Sequence, residues 1–182
     1  MFKFPYLSID IETSGLNTEK SHVLQLAAVY DNGGPIEELP TFNRVICWPV
    51  LTWAEITAVN MNKRLMEKAY NNEKGVLSVD AARFAWKHFL DSLALEGKFF
   101  AAGKNVASFD IPILKNHTNL FDMSRTSHRV LDPGSMYSEN FDHIPNLNEI
   151  NKITGRKEVS HDALDDAMDV VYAIRYKWGV PV

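Results

Sequence analysis

Three short stretches of this 182-residue chain gather side chains whose types and spacing suit acid, base or metal chemistry. The first is Asp10-Ile11-Glu12-Thr13. On a strand, alternate residues point to the same face, so Asp10 and Glu12 project together while Ile9 and Ile11 face the other way. Two such carboxylates repel each other, and burying them is costly. A divalent cation held between them removes that cost, and an all-oxygen site of this kind suits magnesium or manganese. The second stretch is Asn105-Val106-Ala107-Ser108-Phe109-Asp110, which places a carboxylate where a strand passes into a helix. In α/β sheets, sites form at the carboxyl ends of strands. The third is His161-Asp162-Ala163-Leu164-Asp165-Asp166-Ala167. Here Asp162 is an N-cap, Asp166 reaches inward from the helix flank, and Asp165 and Asp169 stay in solvent. Each stretch alone also has a plain structural reading: two solvated acids at a strand edge, a helix cap favoured by the dipole, and a surface histidine before a helix. His22, His88, His117, His128 and His143 have no comparable acidic company.

The elements that must position these residues follow from the pattern. Tyr6 to Ile11 is partly alternating and β-branched, and Val23 to Tyr30 is nearly continuous apolar, as a buried strand is. Asp31-Asn32-Gly33-Gly34-Pro35 supplies turn chemistry, and Asn43 to Trp48 is a third strand stopped by Pro49. Short connections make these three an antiparallel meander. Thr52-Trp53-Ala54-Glu55 has capping-box spacing and predicts a helix start. A second helix spans Asp80 to Leu95, with Ala82, Trp86, Phe89 and Leu93 on one face. Phe99 to Ala102 and Arg129 to Leu131 are short strands, and a helix opens near Asp110 with Pro112 in its first turn. In the last helix Leu164, Ala167, Met168, Val171, Ile174 and Trp178 form a stripe, and Gly179 and Pro181 mark its stop. Tyr70 to Asp80, Asn116 to His128 and Ser138 to Asn146 are connecting loops. The sum is one α/β domain built on a five-stranded mixed sheet, an antiparallel meander followed by parallel strands, flanked by helices.

Composition bounds the partners. Apolar residues are 46% and charged residues 23%, as in an ordinary globular domain. The net charge of −4 argues against gripping nucleic acid by bulk positive charge, yet it suits a site whose carboxylates are neutralised by bound cations. No uncharged apolar run approaches the roughly 18 residues of a membrane span, and the first residues do not resemble a cleaved leader. The single Cys47 fits a reducing, cytoplasmic setting. No Gly-x-x-x-x-Gly-Lys loop is present, and Glu12 stands where an Asp-x-Asp-x-Thr phosphatase motif needs its second aspartate.

The order and spacing of the three stretches together resemble the DEDDh (DnaQ-like) 3′-to-5′ exonucleases of the ribonuclease H-like fold. The likeness spans Leu7 to about Ala173, and Asp10-Ile11-Glu12-Thr13-Ser14-Gly15-Leu16 looks like the family's first motif, His161 to Ala167 like its third. Asp132 after a short strand, and Ile144-Pro145-Asn146-Leu147 before a helix, also match. The chain departs from the pattern at Val59-Asn60-Met61-Asn62, where the family often has a histidine and a glycine, and at Lys104, where a histidine is common.

The resemblance implies that residues 1–182 form one exonuclease domain in which Asp10, Glu12, Asp110 and Asp166 hold two divalent cations, Mg2+ or Mn2+, with His161 as general base. It implies release of 5′-mononucleotides from nucleic acid 3′ ends, single-stranded DNA ahead of RNA, with Thr13, Leu16, Asn60, Asn105 and Phe109 around the terminal nucleotide. Lys152, Arg156 and Lys157 are the nearest basic cluster for the incoming backbone. A polymerase or repair partner would be a separate chain, and no membrane is involved. The alternatives are an oligoribonuclease-like RNA-trimming enzyme and a catalytically silent end-binding subunit.

Overall fold

The computed structural model describes residues 5–93, 97–116, 121, 123–140 and 142–182. In chain order the elements are β1 (Tyr6–Thr13), β2 (Val23–Asp31), a 3₁₀ turn at Ile36–Glu38, β3 (Thr41–Cys47), α1 (Ile56–Met61), α2 (Lys63–Tyr70), β4 (Val76–Ser78), α3 (Val79–Ser92), β5 (Phe99–Ala102), α4 (Asp110–Asn116), β6 (Thr126–Leu131), α5 (Pro133–Tyr137), α6 (Leu147–Thr154) and α7 (Ala163–Lys177). The strands form one sheet in the order β4-β3-β2-β1-β5-β6. β1, β2 and β3 pair antiparallel, while β5 pairs parallel with β1 and with β6.

The sheet has six strands rather than five. The added strand, β4, lies in the Tyr70 to Asp80 segment and pairs parallel with β3 at the outer edge. Three residues are too short to display a two-residue period, so its hydrogen bonds to β3 alone define it. The helix foreseen at Thr52 begins instead at Ile56, and Glu55 caps it without a side-chain bond. The reason is tertiary: the Glu55 N–H donates to the Ser14 carbonyl at 2.8 Å, and the Ser14 hydroxyl donates to the Trp53 carbonyl at 2.9 Å. The backbone that would have formed the first turn serves the end of β1. The second helix ends at Ser92, with Leu93 already extended at ψ 128° and its side chain buried in the larger core, while Ala94 and Leu95 lie outside the described residues.

Both faces of the sheet are covered, which is why β2 is buried along its whole length. On one face Leu7, Ile9 and Ile11 join Trp86, Leu90, Ile113 and Leu114 of α3 and α4 in the larger core. On the other, Tyr6, Val29 and Ala102 meet Ala167, Val170, Val171 and Ile174 of α7. Small residues let α7 come close: the Ser8 hydroxyl on β1 donates to the Ala167 carbonyl at 2.8 Å. Among the described residues no helix is long and apolar enough to cross a membrane.

β2 anchors α7 near its far end through a buried ion pair. Arg175 donates to Asp31 from Nε at 3.0 Å and from Nη2 at 2.7 Å, and Tyr6 donates its hydroxyl to the same carboxylate. Removing one partner strands the other in a dry interior. Arg175→Ala is therefore expected to lower unfolding free energy by about 3–5 kcal/mol, read by urea denaturation. A loss near zero would mean that water reaches the pair.

Candidate active site

The site forms where β5 stops short of β1. Pairing between the two covers only Tyr6 to Ser8, so the rest of β1 has an open edge on that side. Gly103 makes the departure possible: a Cβ there would lie 2.8 Å from the Ile9 carbonyl oxygen. The chain then turns through Asn105, left-handed at φ 60°, whose carbonyl accepts from the Ser108 and Phe109 amides at 3.0 Å. Asp132 fixes that turn by accepting the Asn105 N–H at 2.8 Å. The turn delivers Asp110 at the start of α4. Its Oδ1 accepts the Ile11 N–H at 3.2 Å, an amide that β5 would have paired had it continued.

α7 brings the third stretch to the same place. Asp162 caps the helix by accepting the Leu164 N–H at 3.1 Å. Gln25, which faces Glu12 across the β1–β2 pair, donates to Asp162 Oδ2 at 3.3 Å and accepts the Ala163 N–H at 3.4 Å. This one side chain ties the helix start to the strand that neighbours the site. Asp166 then points inward and is buried, while His161 sits exposed before the helix with a left-handed φ of 56°. Glu12, His161 and Asp166 each offer a ligand atom, all within 4.8 Å of one another.

Electrostatics at this point are lopsided. Burial pushes the Asp10 carboxyl well above its ordinary value, and Asp110, Asp166, Glu12 and Asp162 add repulsion. Glu12 is pushed up to about 7 by burial, against a lowering hydrogen bond from Asn62, with Asp166 and Asp162 adding to the rise. Asp110 rises to about 7 through burial, which outweighs the hydrogen bonds from its own amide and that of Ile11. Asp166 also rises to about 7, again chiefly through burial, against a hydrogen bond from the Ser160 N–H, with Asp169, Asp165 and Asp162 repelling. The charges acting on these groups are all negative. Hard oxygen donors crowded in this way fit a divalent cation of the magnesium or manganese type.

The other candidates are placed around this centre. Thr13 is buried and spends its hydroxyl on the Gly15 carbonyl at 2.6 Å. Leu16 is 74% exposed beside Gly15, where a Cβ would collide with Trp53. Asn60 is exposed on α1, Asn105 is exposed with its amide Oδ1 3.4 Å from Lys104 Nζ, and Phe109 is half-buried against the larger core.

Three expectations change. Asp169 is not solvated; it is buried and paired with Arg156, because its helix face turns toward α6. Arg156 is accordingly committed within the protein, which leaves Lys152 and Lys157 exposed from the basic cluster. His143 does have acidic company, lying 3.1 Å from Glu149 within the α6 capping box. Two residues have roles that the sequence pattern did not assign. Asn62 is buried, donates to the Thr13 carbonyl at 3.1 Å and bonds the Glu12 carboxyl. The other is Gln25, and its signal was available: it is the lone polar residue within the apolar run Val23 to Tyr30.

Residues 7–174 match the exonuclease family of the RNase T type. No curated protein sequence matches significantly. Among solved structures, E. coli exonuclease I in complex with a 5cy-dT13 oligonucleotide superposes with TM-score 0.68 at 18% identity, over 94% of this chain and 40% of that one. The zinc-bound form of the E. coli exonuclease I–ssDNA complex gives 0.69 at 17% identity, over 96% and 41%. Cell-death related nuclease 4 gives 0.59 at 14% identity, over 96% and 64%. The chain thus spans about two fifths of the exonuclease I chains.

The raised carboxyls carry a stability signature. In the folded protein Glu12, Asp110 and Asp166 ionise near 7, while in the unfolded chain they do so near their ordinary values of about 4. The native state binds the extra protons, so this contribution is full below about pH 4 and is lost as pH rises through about 7. The melting temperature of chelator-treated protein should fall between about pH 5 and about pH 8, and manganese should restore it at the higher pH. A flat profile without metal would show that the carboxyls are solvated and far apart.

Proposed function

The chain belongs to the exonuclease family, and on that premise we propose that it is a metal-dependent 3′-to-5′ exonuclease acting on DNA ahead of RNA. The observation that supports the reading is the meeting of Glu12, His161 and Asp166, whose ligand atoms lie within 4.8 Å of one another, with Asp110 held on the Ile11 N–H between Asp10 and Glu12. The preference for DNA leans on the oligonucleotides held by exonuclease I, to which this chain is similar in fold.

In this reading Asp10, Glu12, Asp110 and Asp166 would hold two divalent cations, Mg2+ or Mn2+, and such cations would supply water activation and charge stabilisation at the phosphate. His161 accepts the proton of the attacking water at a ring nitrogen, and its exposed place before α7 lets a water and a phosphate approach. The water oxygen bonds to phosphorus as the bond to the neighbouring 3′ oxygen breaks. The terminal unit leaves as a 5′-mononucleotide, and the departing 3′ oxygen takes a proton from solvent to become the new 3′ hydroxyl of the shortened strand. Gln25 and Asp162 hold the start of α7, so that Asp166 keeps its place opposite Glu12. Leu16 offers apolar surface to a base of any identity, and Thr13, Asn60, Asn105 and Phe109 border the same nucleotide. With net charge −4, the grip on the remaining strand is short and weakly salt-dependent.

Purified protein with end-labelled single-stranded DNA and RNA tests this. Magnesium or manganese should release labelled mononucleotide at once from a 3′ label and leave a shortening ladder from a 5′ label, and chelator should stop both. End binding without cleavage under every cation would point to a silent subunit, and faster loss of RNA to the trimming alternative. Asp10→Ala should abolish cleavage and still fold, since it removes repulsion together with a ligand; full activity would end the proposal.

His161→Ala should slow turnover by about 10²–10⁴-fold, the range for loss of a general base. Asp166→Ala should cost far more than Asp165→Ala, measured as kcat on the same oligonucleotide. The reverse order would shift the third stretch by one position.

A further inference from the structure

One turn beyond Asp166, a second group of polar side chains meets at a buried carboxylate. Asp169 is 4% exposed. Its Oδ1 accepts Arg156 Nε at 2.7 Å, and its Oδ2 accepts Asn151 Nδ2. The same Asn151 amide, on α6 and 1% exposed, donates to the Lys157 carbonyl at 2.9 Å. The Arg156 N–H donates to the Asn151 carbonyl at 2.8 Å, and its guanidinium lies 4.3 Å over the Tyr172 ring. Helix α6, the segment from Gly155 to His161, and helix α7 are thereby joined at Asp169.

The segment needs such a join. Val159 is its residue packed against an apolar cluster. A cavity of about 390 Å³ lies beside it, with Arg156, Ser160, Asp165 and Asp169 among the walls. With Val159 its one apolar anchor and an open cleft beside it, the segment is otherwise attached by polar links. They continue along the segment: Val159 N–H donates to Asn148 Oδ1 at 2.7 Å and Ser160 N–H to Asp166 Oδ1 at 3.3 Å. His161 comes next, at φ 56°. A left-handed residue other than glycine persists only when its surroundings over-determine it. A buried ion pair is itself a poor source of net stability, because desolvation cancels most of the attraction. What the Asp169–Arg156 pair supplies is geometry.

We infer that Asp169 is a positioning residue: by gripping Arg156 and Asn151 it holds the segment that presents His161 to the attacking water. The inference rests on His161 being the base, as proposed above. Asp169 acts through His161 and does not meet the substrate.

A double-mutant cycle tests it, with single-turnover cleavage of a 3′-labelled single-stranded DNA oligonucleotide at saturating manganese. Asp169→Ala should slow the chemical step by about 10- to 100-fold, the scale of a misplacement near 1 Å, with oligonucleotide affinity nearly unchanged. In a His161→Ala background the same substitution should slow cleavage less than about two-fold, because the group it positions is gone. Equal slowing in both backgrounds overturns the inference while the exonuclease reading stands. Wild-type rates in His161→Ala overturn the base assignment and the inference with it. If Asp169→Ala does not fold, Arg156→Ala, whose side chain is 31% exposed, removes the other half of the pair and must show the same dependence on His161; equal slowing in both backgrounds would again overturn it.

Discussion

Carboxyl groups that repel one another are confined at the end of β1, and burial disfavours the charge of each one. Such an arrangement is unfavourable for the isolated chain and persists only because the surrounding fold holds it. The open edge of β1 beyond Ser8 exists because β5 is short, and Asp110 fills the hydrogen bond that the missing strand leaves. The helix that carries Asp166 starts where Gln25 and Asp162 oblige it to. The fold therefore stores electrostatic repulsion at one point, and a cation is what the donor set calls for.

α7 is the element on which this depends most, and β2 holds it near both of the strand's ends. Gln25, near the start of the strand, takes the first turn of the helix, and Asp31, at the strand's end, takes Arg175 in the last. Between them Ser8 reaches the Ala167 carbonyl across a contact kept close by small side chains. Three separate attachments along one helix leave little freedom for Asp166 to move relative to Glu12. The segment before the helix lacks that packing, and there polar links to α6 and α7 take over.

Much of this is legible in the sequence. The two-residue period of β1 put Asp10 and Glu12 on one face, and the apolar stripe from Leu164 to Ile174 announced α7 together with its cap at Asp162. Other features were not legible, each for a physical reason. β4 is three residues long and defined by its partner. Thr52 and Glu55 have the spacing of a capping box, yet Ser14, just past the end of β1, claims the Trp53 carbonyl and the Glu55 N–H. Asp169 reads as one more surface acid on a helix rich in them, until α6 and Arg156 are seen to close over it.

The sequence by itself determined which side chains have the right chemistry and which of them share a face, because helix and strand periods are local properties of the backbone. It also determined the alternation of strands and helices that makes an α/β sheet. Only the tertiary structure decided that Asp110 completes the open edge of β1, that Gln25 and Asn62 support Glu12 and the start of α7, and that Asp169 is buried with a counterion. Those relations join residues far apart in the chain, and nothing in local periodicity encodes which distant hydrogen-bond partner a buried polar group will find.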